Sequence, residues 1–463
     1  IEDIENPAQY DLNQDGYIDD YDFFLGEFGE LVGGSYRVTA TTLDAGNHIN
    51  RAQLLQLIDT NGDGIIDNND RYTKIRGEVY ITATMDSWNK GAARTGAGQP
   101  GNYQDYFQGP ITPGHLQRPL TFGDNSNVAQ FEPGDFDVSG LASKVESDVQ
   151  AQALNAVKDV EPGTPGAPEI SQLPMREAIP YGAANPYDYY DRPVYRNMTF
   201  KNVKIPKGTN ALFENCTFIG VTFVETEVNN DDPFFNYNGM VDINGKLKHP
   251  DKDITINGEV ISGNEPDQTK NAKNYGNNIR FHNCKFEGAV VSSAPQSYTQ
   301  VRNKLTFTGD TQFADLTSPA QSPNLSAEER ALYRRSTLLA PHMSVEIGTF
   351  AGVGADTPRI NLSGVIVAGV IDMRGDINVN GTLLTTFEPI SNQGPVVGET
   401  SPYFNTTLGY FAKTSGDHEA NTVPNGLGMI KLRYDPTLPL PDGISAPISM
   451  TPLRKSYFEG GAK

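Results

Sequence analysis

Two twelve-residue stretches of this chain place oxygen-bearing residues at the same intervals. Asp11, Asn13, Asp15, Tyr17, Asp19 and Asp22 hold positions 1, 3, 5, 7, 9 and 12 of the first. Asp59, Asn61, Asp63, Ile65, Asp67 and Asp70 hold those positions of the second, 48 residues on. Such a loop gives Ca²⁺ its roughly six to eight hard oxygens, position 7 through the backbone carbonyl and position 9 through water. Gly16 and Gly64 stand at position 6, where the chain must turn with positive φ. Ile18 and Ile66, at position 8, are expected to pair as a short β-bridge between the loops. Ordinary Asp/Asn-rich surface turns would not repeat every ligand position, so we read two Ca²⁺ sites.

Elements on either side must position these ligands. After the first loop, Asp20 to Phe28 carries Tyr21, Phe24, Leu25 and Phe28 on one helical face. Before the second, Ile49 to Ile58 carries Leu54, Leu55, Leu57 and Ile58. The order loop, helix, linker, helix, loop resembles a paired EF-hand without its outer helices. Over residues 1–76 the loops also resemble those of dockerin domains, which implies docking to a cohesin-like partner as one use of the module.

Composition narrows the classes. Among 463 residues there are 46 Gly and 31 Pro, and hydrophobic residues make up 37%, a balance that favours turn-rich β structure over a helical protein. The net charge of −21 leaves no basic face for phosphate, so no nucleic-acid partner is expected. Two Ca²⁺ would bring it only to −17, so calcium accounts for part of the acidity. No apolar run approaches the roughly 18 residues of a membrane span. Two cysteines are too few for a disulfide framework, and six scattered histidines show no zinc spacing. The chain starts at Ile1 rather than methionine, as expected if a leading segment has been removed or is missing. Loops of this type suit the millimolar calcium found outside cells, so we expect an exported, cell-surface protein.

The rest of the chain divides by texture. Residues 77–194 form a loop-rich lead-in, with strand-like alternation over Ile75 to Ile81 just before and at its start. It contains one expected helix in which Leu141, Val145, Val149, Ala153 and Val157 recur every four residues, with Ser139 as N-cap. A Pro- and Tyr-rich strap or linker follows from Pro162 to Pro193. From 195 to 390 one hexad recurs as Phe200-Lys-Asn-Val-Lys-Ile205, Phe213-Glu-Asn-Cys-Thr-Phe218 and Phe281-His-Asn-Cys-Lys-Phe286, with an echo from Phe307 to Phe313. A second family places Asn-Gly at 244–245, 257–258 and 380–381.

Such repeats read as stacked rungs, with Asn202, Asn215 and Asn283 as a ladder and Val203, Cys216 and Cys284 as an inward stack. Over residues 195–390 the pattern resembles right-handed β-helix proteins of pectate-lyase type. The step from Phe200 to Phe213 is only 13 residues, while Phe213 to Phe281 is 68. Either repeats lie on different sides of one rung, or 228–278 is an excursion carrying its own hairpin. A β-sandwich of short strands is the competing fold. Ser326 to Glu329 reads as a capping box opening a helix through Arg335, and 391–463 reads as an irregular tail.

The expected fold is therefore mainly β: a parallel β-helix, or β-solenoid, headed by a small α-helical EF-hand-like calcium module. Candidate catalytic carboxylates are Asp231 with Asp232, Asp251 with Asp253, and Asp372 with Asp376 around Arg374. Each reads more simply as solvated turn residues. The Tyr187, Tyr189 and Tyr190 run would either bind sugars or pack on the domain it crosses. We therefore expect no enzyme but a calcium-stabilised structural protein that assembles with copies of itself, with glycans as further partners. A polysaccharide lyase or hydrolase is the enzymatic alternative.

Overall fold

The structure, a computed structural model, describes residues 9–10, 12, 25–26, 29–39, 65–66, 73–76, 80–81, 107–108, 121–122, 133–158, 168–170, 175–180, 187–230, 232, 234–242, 244–265, 270–296, 302–349, 360–375, 377–386, 407–409 and 430–433. It is mainly β, and its parallel strands form one curled sheet, a half-barrel.

Register resolves the sheet into three strips. Val194–Arg196, Leu212–Glu214, Asn277–His282 and Asn303–Thr308 are hydrogen-bonded in order along the first. The chain then turns through an asparagine and enters the second strip, where Thr199 pairs with Thr217, Thr217 with Lys285, and Lys285 with Gln312. A further corner leads to the third, where Val203, Thr222, Val290, Leu338 and Ile366 follow one another.

The hexad is thus real, but its first copy is displaced. Tyr195, Phe213, Phe281 and Phe307 align on the first strip, and Phe200, Phe218, Phe286 and Phe313 on the second. Phe200 is consequently the sixth residue of a hexad beginning at Tyr195, not the first residue of its own. The turning asparagines are Asn197, Asn215 and Asn283, with φ of 55°, 54° and 53°, and Gly309 takes the next place at 65°. Asparagine and glycine tolerate this left-handed conformation better than other residues. Met198, Cys216 and Cys284 follow the asparagines, and Thr311, two residues after Gly309, stands beside Cys284, so Met198 fills the place expected for Val203.

Asn202 instead marks the second corner (φ 44°), in line with Gly220 and Gly288. A Cβ at Gly288 would lie 2.0 Å from the Gly220 carbonyl oxygen, so the strands could not keep this approach with any larger residue. The 13-residue step therefore runs from the second strip of one coil to the first strip of the next, so the repeats do lie on different sides. The 68-residue step is an excursion as well, with its own antiparallel hairpin of Ile254–Ile256 and Glu259–Ile261 turning on Asn257-Gly258.

Inside the curl the aromatic columns interlock. Ring centroids along each column are 4.8–5.4 Å apart and nearly parallel, and neighbours across the two columns meet edge to face. The other face of the third strip carries Val221, Val291, Leu339 and Val367, covered by Leu141 and Tyr333. Leu141 belongs to helix α1 (Ser139–Ala142), and Tyr333 to helix α3 (Ala327–Arg334). The capping box holds: Ser326 Oγ accepts from Glu329 N–H at 3.1 Å, and Ser326 N–H donates to Glu329 Oε2 at 2.8 Å.

Tyr333 is fully buried, and its hydroxyl finds no hydrogen-bond partner among the described residues. Burial, with the charges of Glu329 and Glu146, pushes it up to about 12. Tyr333→Phe is expected to leave stability unchanged or raise it by about 1 kcal/mol, because an unsatisfied buried hydroxyl carries a desolvation cost. A lowered urea midpoint would show that the hydroxyl is bonded after all.

The expected single helix over 141–157 is two helices. Between α1 and α2 (Val149–Lys158) the strand Ser147–Asp148 joins the third strip beside Val203. Spacing of four exceeds the 3.6 residues of a turn, so the apolar positions drift about 40° per step and leave a common face within a few turns. Ser139 is the first residue of the first helix and not its cap: the N-cap is Val138, which makes no side-chain cap bond, and Asp137 accepts from Ser139 N–H at 2.9 Å. Asp148 caps the second, accepting from Ala151 N–H at 2.8 Å.

Within the Pro/Tyr strap, Met175–Pro180 and Tyr187–Arg192 pair as an antiparallel hairpin, which favours an ordered strap over a linker there. Pro180 stands at the end of its strand, where a missing donor costs least.

At the far end of the sheet the partners come from the start of the chain. Thr73–Arg76 pairs with Ile430–Arg433, and Phe107–Gln108 pairs with Thr407–Gly409. Seven strands in succession lie between Ser147–Asp148 at one end and Thr73–Arg76 at the other.

Candidate functional site

Of the twelve calcium-ligand positions, the structure describes Ile65 alone. Asp11, Asn13, Asp15, Tyr17, Asp19, Asp22, Asp59, Asn61, Asp63, Asp67 and Asp70 lie outside the described residues, as does the helix expected over Ile49 to Ile58. Ile65 and Ile66 are extended and pair with Thr39 and Val38, the second strand of a hairpin formed by Glu30–Val32 and Ser35–Thr39. The strand partner shown for Ile66 is thus Val38, and Ile18 lies outside the described residues. That hairpin occupies the linker expected between two helices. Leu25, buried at 1%, is helical and accepts from Gly29 N–H at 2.8 Å, so part of the expected first helix is present.

The best-defined polar site was not foreseen from the sequence. Asp188, Lys273 and Arg302, none more than 1% exposed, meet where the Tyr hairpin, the excursion and the first strip converge. One Asp188 oxygen takes Lys273 Nζ at 3.0 Å and also accepts Val241 N–H at 3.1 Å, while the other takes Arg302. Arg302 donates besides to the carbonyls of Asn236 (3.1 Å) and Asn238 (2.8 Å) and to Tyr190 Oη (2.8 Å). Arg192, equally buried, donates to the Asn210 carbonyl at 3.0 Å and to Asn278 Oδ1 at 2.8 Å. Lys273 Nζ lies 4.7 Å from the Tyr190 ring centroid.

Two buried cations thus meet one carboxylate, Arg192 lies over the Tyr190 ring at 5.2 Å from its centroid, and backbone carbonyls and that aromatic face absorb the excess charge. Burial drives the Asp188 carboxyl upward, but the Lys273 and Arg302 charges prevail and hold it below the usual carboxylate range. Burial pushes Tyr190 up to about 12, so it stays a neutral phenol. Every strong interaction here joins segments distant in sequence, and the groups are shut off from solvent. The cluster is a latch. Its sequence signal was faint: a lone Asp among tyrosines, and Lys and Arg residues 85 and 114 positions away.

The remaining candidates fall into place around it. Tyr190 is wholly buried in the latch, so this member of the tyrosine run packs on the body it crosses, while Tyr189 is half-buried. Asp232 accepts Phe234 and Thr255 N–H at 2.9 and 2.8 Å, and Asp253 accepts Gly263 N–H, which makes both of them turn-building residues. Asp231 and Asp376 lie outside the described residues. Asp372 is the register partner of Glu346 on the first strip, and Glu346 holds the buried Lys304 Nζ at 2.5 Å. Cys216 and Cys284 are free thiols, buried and stacked on adjacent coils. Cys284 Sγ donates to the Phe213 carbonyl across the strand gap at 3.4 Å, and burial pushes its thiol up, away from nucleophilic use.

The end of the sheet nearest α2 is closed to further strands. Tyr195–Arg196 is covered by the antiparallel Glu169–Ile170. Lys201 has both backbone groups taken by the Gln152 carboxamide, N–H to Oε1 at 3.0 Å and Nε2 to the carbonyl at 2.8 Å. The third strip ends on the two-residue Ser147–Asp148. Short edges and side-chain plugs of this kind deny another chain a pairing template.

Among the described residues no group of three or more His, Cys, Asp or Glu side chains could hold a metal, and no helix is long and apolar enough to cross a membrane. Comparison of the chain with protein-family models, curated proteins and solved structures finds no match. Its function is therefore argued from the residues themselves.

Proposed function

We propose that this chain is an exported, calcium-stabilised structural protein of a cell surface that assembles with copies of itself. In this reading its curled parallel sheet is the wall of a β-helix, headed by an EF-hand-like module that binds two Ca²⁺. The observation that carries the reading is the use made of buried charge. Asp188, Lys273, Arg302 and the Lys304–Glu346 pair are all spent on fastening segments to the sheet. The extended backbone at Ile65–Ile66 fits a loop that turns a position-7 carbonyl toward a metal. The second loop ends at Asp70, three residues before Thr73–Arg76, so calcium there would steady the last strand of the sheet.

Sizing of the full chain with calcium and with EDTA is expected to give oligomers that dissociate on chelation. A single monodisperse monomer under both conditions would count against assembly.

One observation favours a second reading, a carbohydrate-active protein. Glu346 and Asp372 are register partners on adjacent parallel strands, and a retaining glycosidase uses two carboxylates roughly 5–5.5 Å apart. Release of reducing sugar from acidic polysaccharide by the wild-type chain, and its loss in Glu346→Gln, would promote that reading.

A further inference from the structure

We propose that Cys216 and Cys284 close into one disulfide as the exported chain folds, and that this bond ties off the base of the excursion. The inference rests on the export reading above for its oxidant and on geometry for the pairing itself.

The two residues are the only cysteines in the chain, and they meet. Glu214 pairs with His282 and Thr217 with Lys285, so Cys216 and Cys284 hold the same place on consecutive coils. Their thiols are hydrogen-bonded to each other. Cys284 Sγ also leans toward the coil of Cys216, where it reaches the Phe213 carbonyl at 3.4 Å. Neighbouring strands run about 4.8 Å apart, inside the roughly 4.4–6.8 Å between Cα atoms that a disulfide spans. Bond formation gives up only weak S–H contacts, to Phe213 and, from Cys216, to the Tyr195 carbonyl at 3.4 Å.

The place itself does not call for cysteine. Met198 holds it on the preceding coil, and Thr311 stands beside Cys284 on the following one. Cysteine occurs on the two coils that flank the excursion, and nowhere else. The chain leaves the sheet after Val224 and rejoins it at Asn277. A bond between residues 68 apart would thus enclose the whole excursion, its hairpin and the latch lysine Lys273 included.

The step is thiol–disulfide exchange with a small disulfide of an oxidising exterior. One cysteine thiolate attacks the small disulfide and expels a thiolate, leaving a mixed disulfide. The second cysteine attacks the first cysteine's sulfur and expels the other thiolate. The two cysteine protons pass to the expelled thiolates, so one small disulfide is reduced to two thiols as the pair is oxidised. In the finished stack both cysteines are buried, and burial pushes the Cys284 thiol up. The pair is then inert, so its redox state is set while the coils are still open.

In the test the full chain is unfolded in urea with reductant, then refolded in calcium with a glutathione redox buffer. The denatured product is expected to weigh two hydrogens less than the reduced chain and to have no thiol left to alkylate. Chain folded first and then given the same buffer should keep both thiols. A protease cut within the excursion should separate the fragments of the oxidised chain only on reducing gels. Enclosing so long a loop should also raise the urea midpoint above that of the reduced chain. Cys216→Ser should lose the mass change and the gel behaviour together. Two free thiols after refolding, a glutathione adduct or a disulfide-linked dimer would overturn the pairing and leave export standing. A chain that does not refold is held instead in the same buffer at urea just below its transition, where the same masses decide. A chain that closes in this buffer, yet is recovered from the cell surface with both thiols free, would count against export.

Discussion

Asp188→Ala is expected to cost about 3–5 kcal/mol of stability, because it takes from buried Lys273 and Arg302 the carboxylate they share. The loss should not be spread evenly. Asp188 ties the Tyr187–Arg192 strand to Val241 in the excursion and to Arg302 at the head of the Asn303–Thr308 strand. Limited proteolysis should therefore open the excursion and the hairpin well before the aromatic columns. Lys273→Met, which leaves the Asp188–Arg302 pair intact, should cost less. Acid should act in the same direction. The Asp188 carboxyl is held below its ordinary value, so its stabilisation is in full force above the unfolded value of roughly 3.9 and is lost as pH falls through the folded one. Early release of the excursion below about pH 4, measured by hydrogen exchange, is the expected signature. A urea midpoint for Asp188→Ala within about 1 kcal/mol of wild type would mean that Lys273 and Arg302 are not held as described.

What the sequence could reveal depended on how local the cause was. The capping box of α3 involves four consecutive residues and was readable in full. The Phe-x-Asn-Cys-x-Phe hexads were readable as stacked repeats because like residues sit on like in a parallel ladder. Their register was not, because the first coil spells the same turn as Tyr195-Arg-Asn-Met-Thr-Phe200, without the cysteine. Asn202, five residues on, mimics the motif while turning a different corner. The period-four run from Leu141 to Val157 suggested one helix, but Glu146 N–H bonds the Asn202 carbonyl, and the next two residues become a strand. There tertiary pairing overrode local periodicity. The latch lay beyond local reading altogether, since Asp188, Lys273 and Arg302 converge only after the chain has returned twice. The same holds for Thr73–Arg76, whose partner lies more than 350 residues downstream. The calcium loops were the clearest local signal of all, and eleven of their twelve ligand positions lie outside the described residues.

Phe281→Ala is the other substitution expected to act strongly, at about 3–5 kcal/mol. Phe281 is stacked between Phe213 (5.4 Å) and Phe307 (5.2 Å) and touches the edges of Phe218 (5.3 Å) and Phe286 (5.0 Å). Removing it deletes four aromatic contacts and opens a void that rigid strands on either side cannot close. Phe281→Leu keeps most of the volume and should retain much of the stability. Phe234, 40% exposed on the excursion, is the control, and its replacement by alanine should cost well under about 1 kcal/mol. The consequence for assembly follows from how a stack holds together. Each coil is stabilised mainly by its neighbours, so a defect at Phe281 weakens the coupling between the α2 end and the Thr73–Arg76 end. Scission between residues 214 and 281 before global unfolding, seen by pulse proteolysis, would show that the stack behaves as coupled layers. Loss of all structure in one step would show a single cooperative core, and the two ends would then stand or fall together.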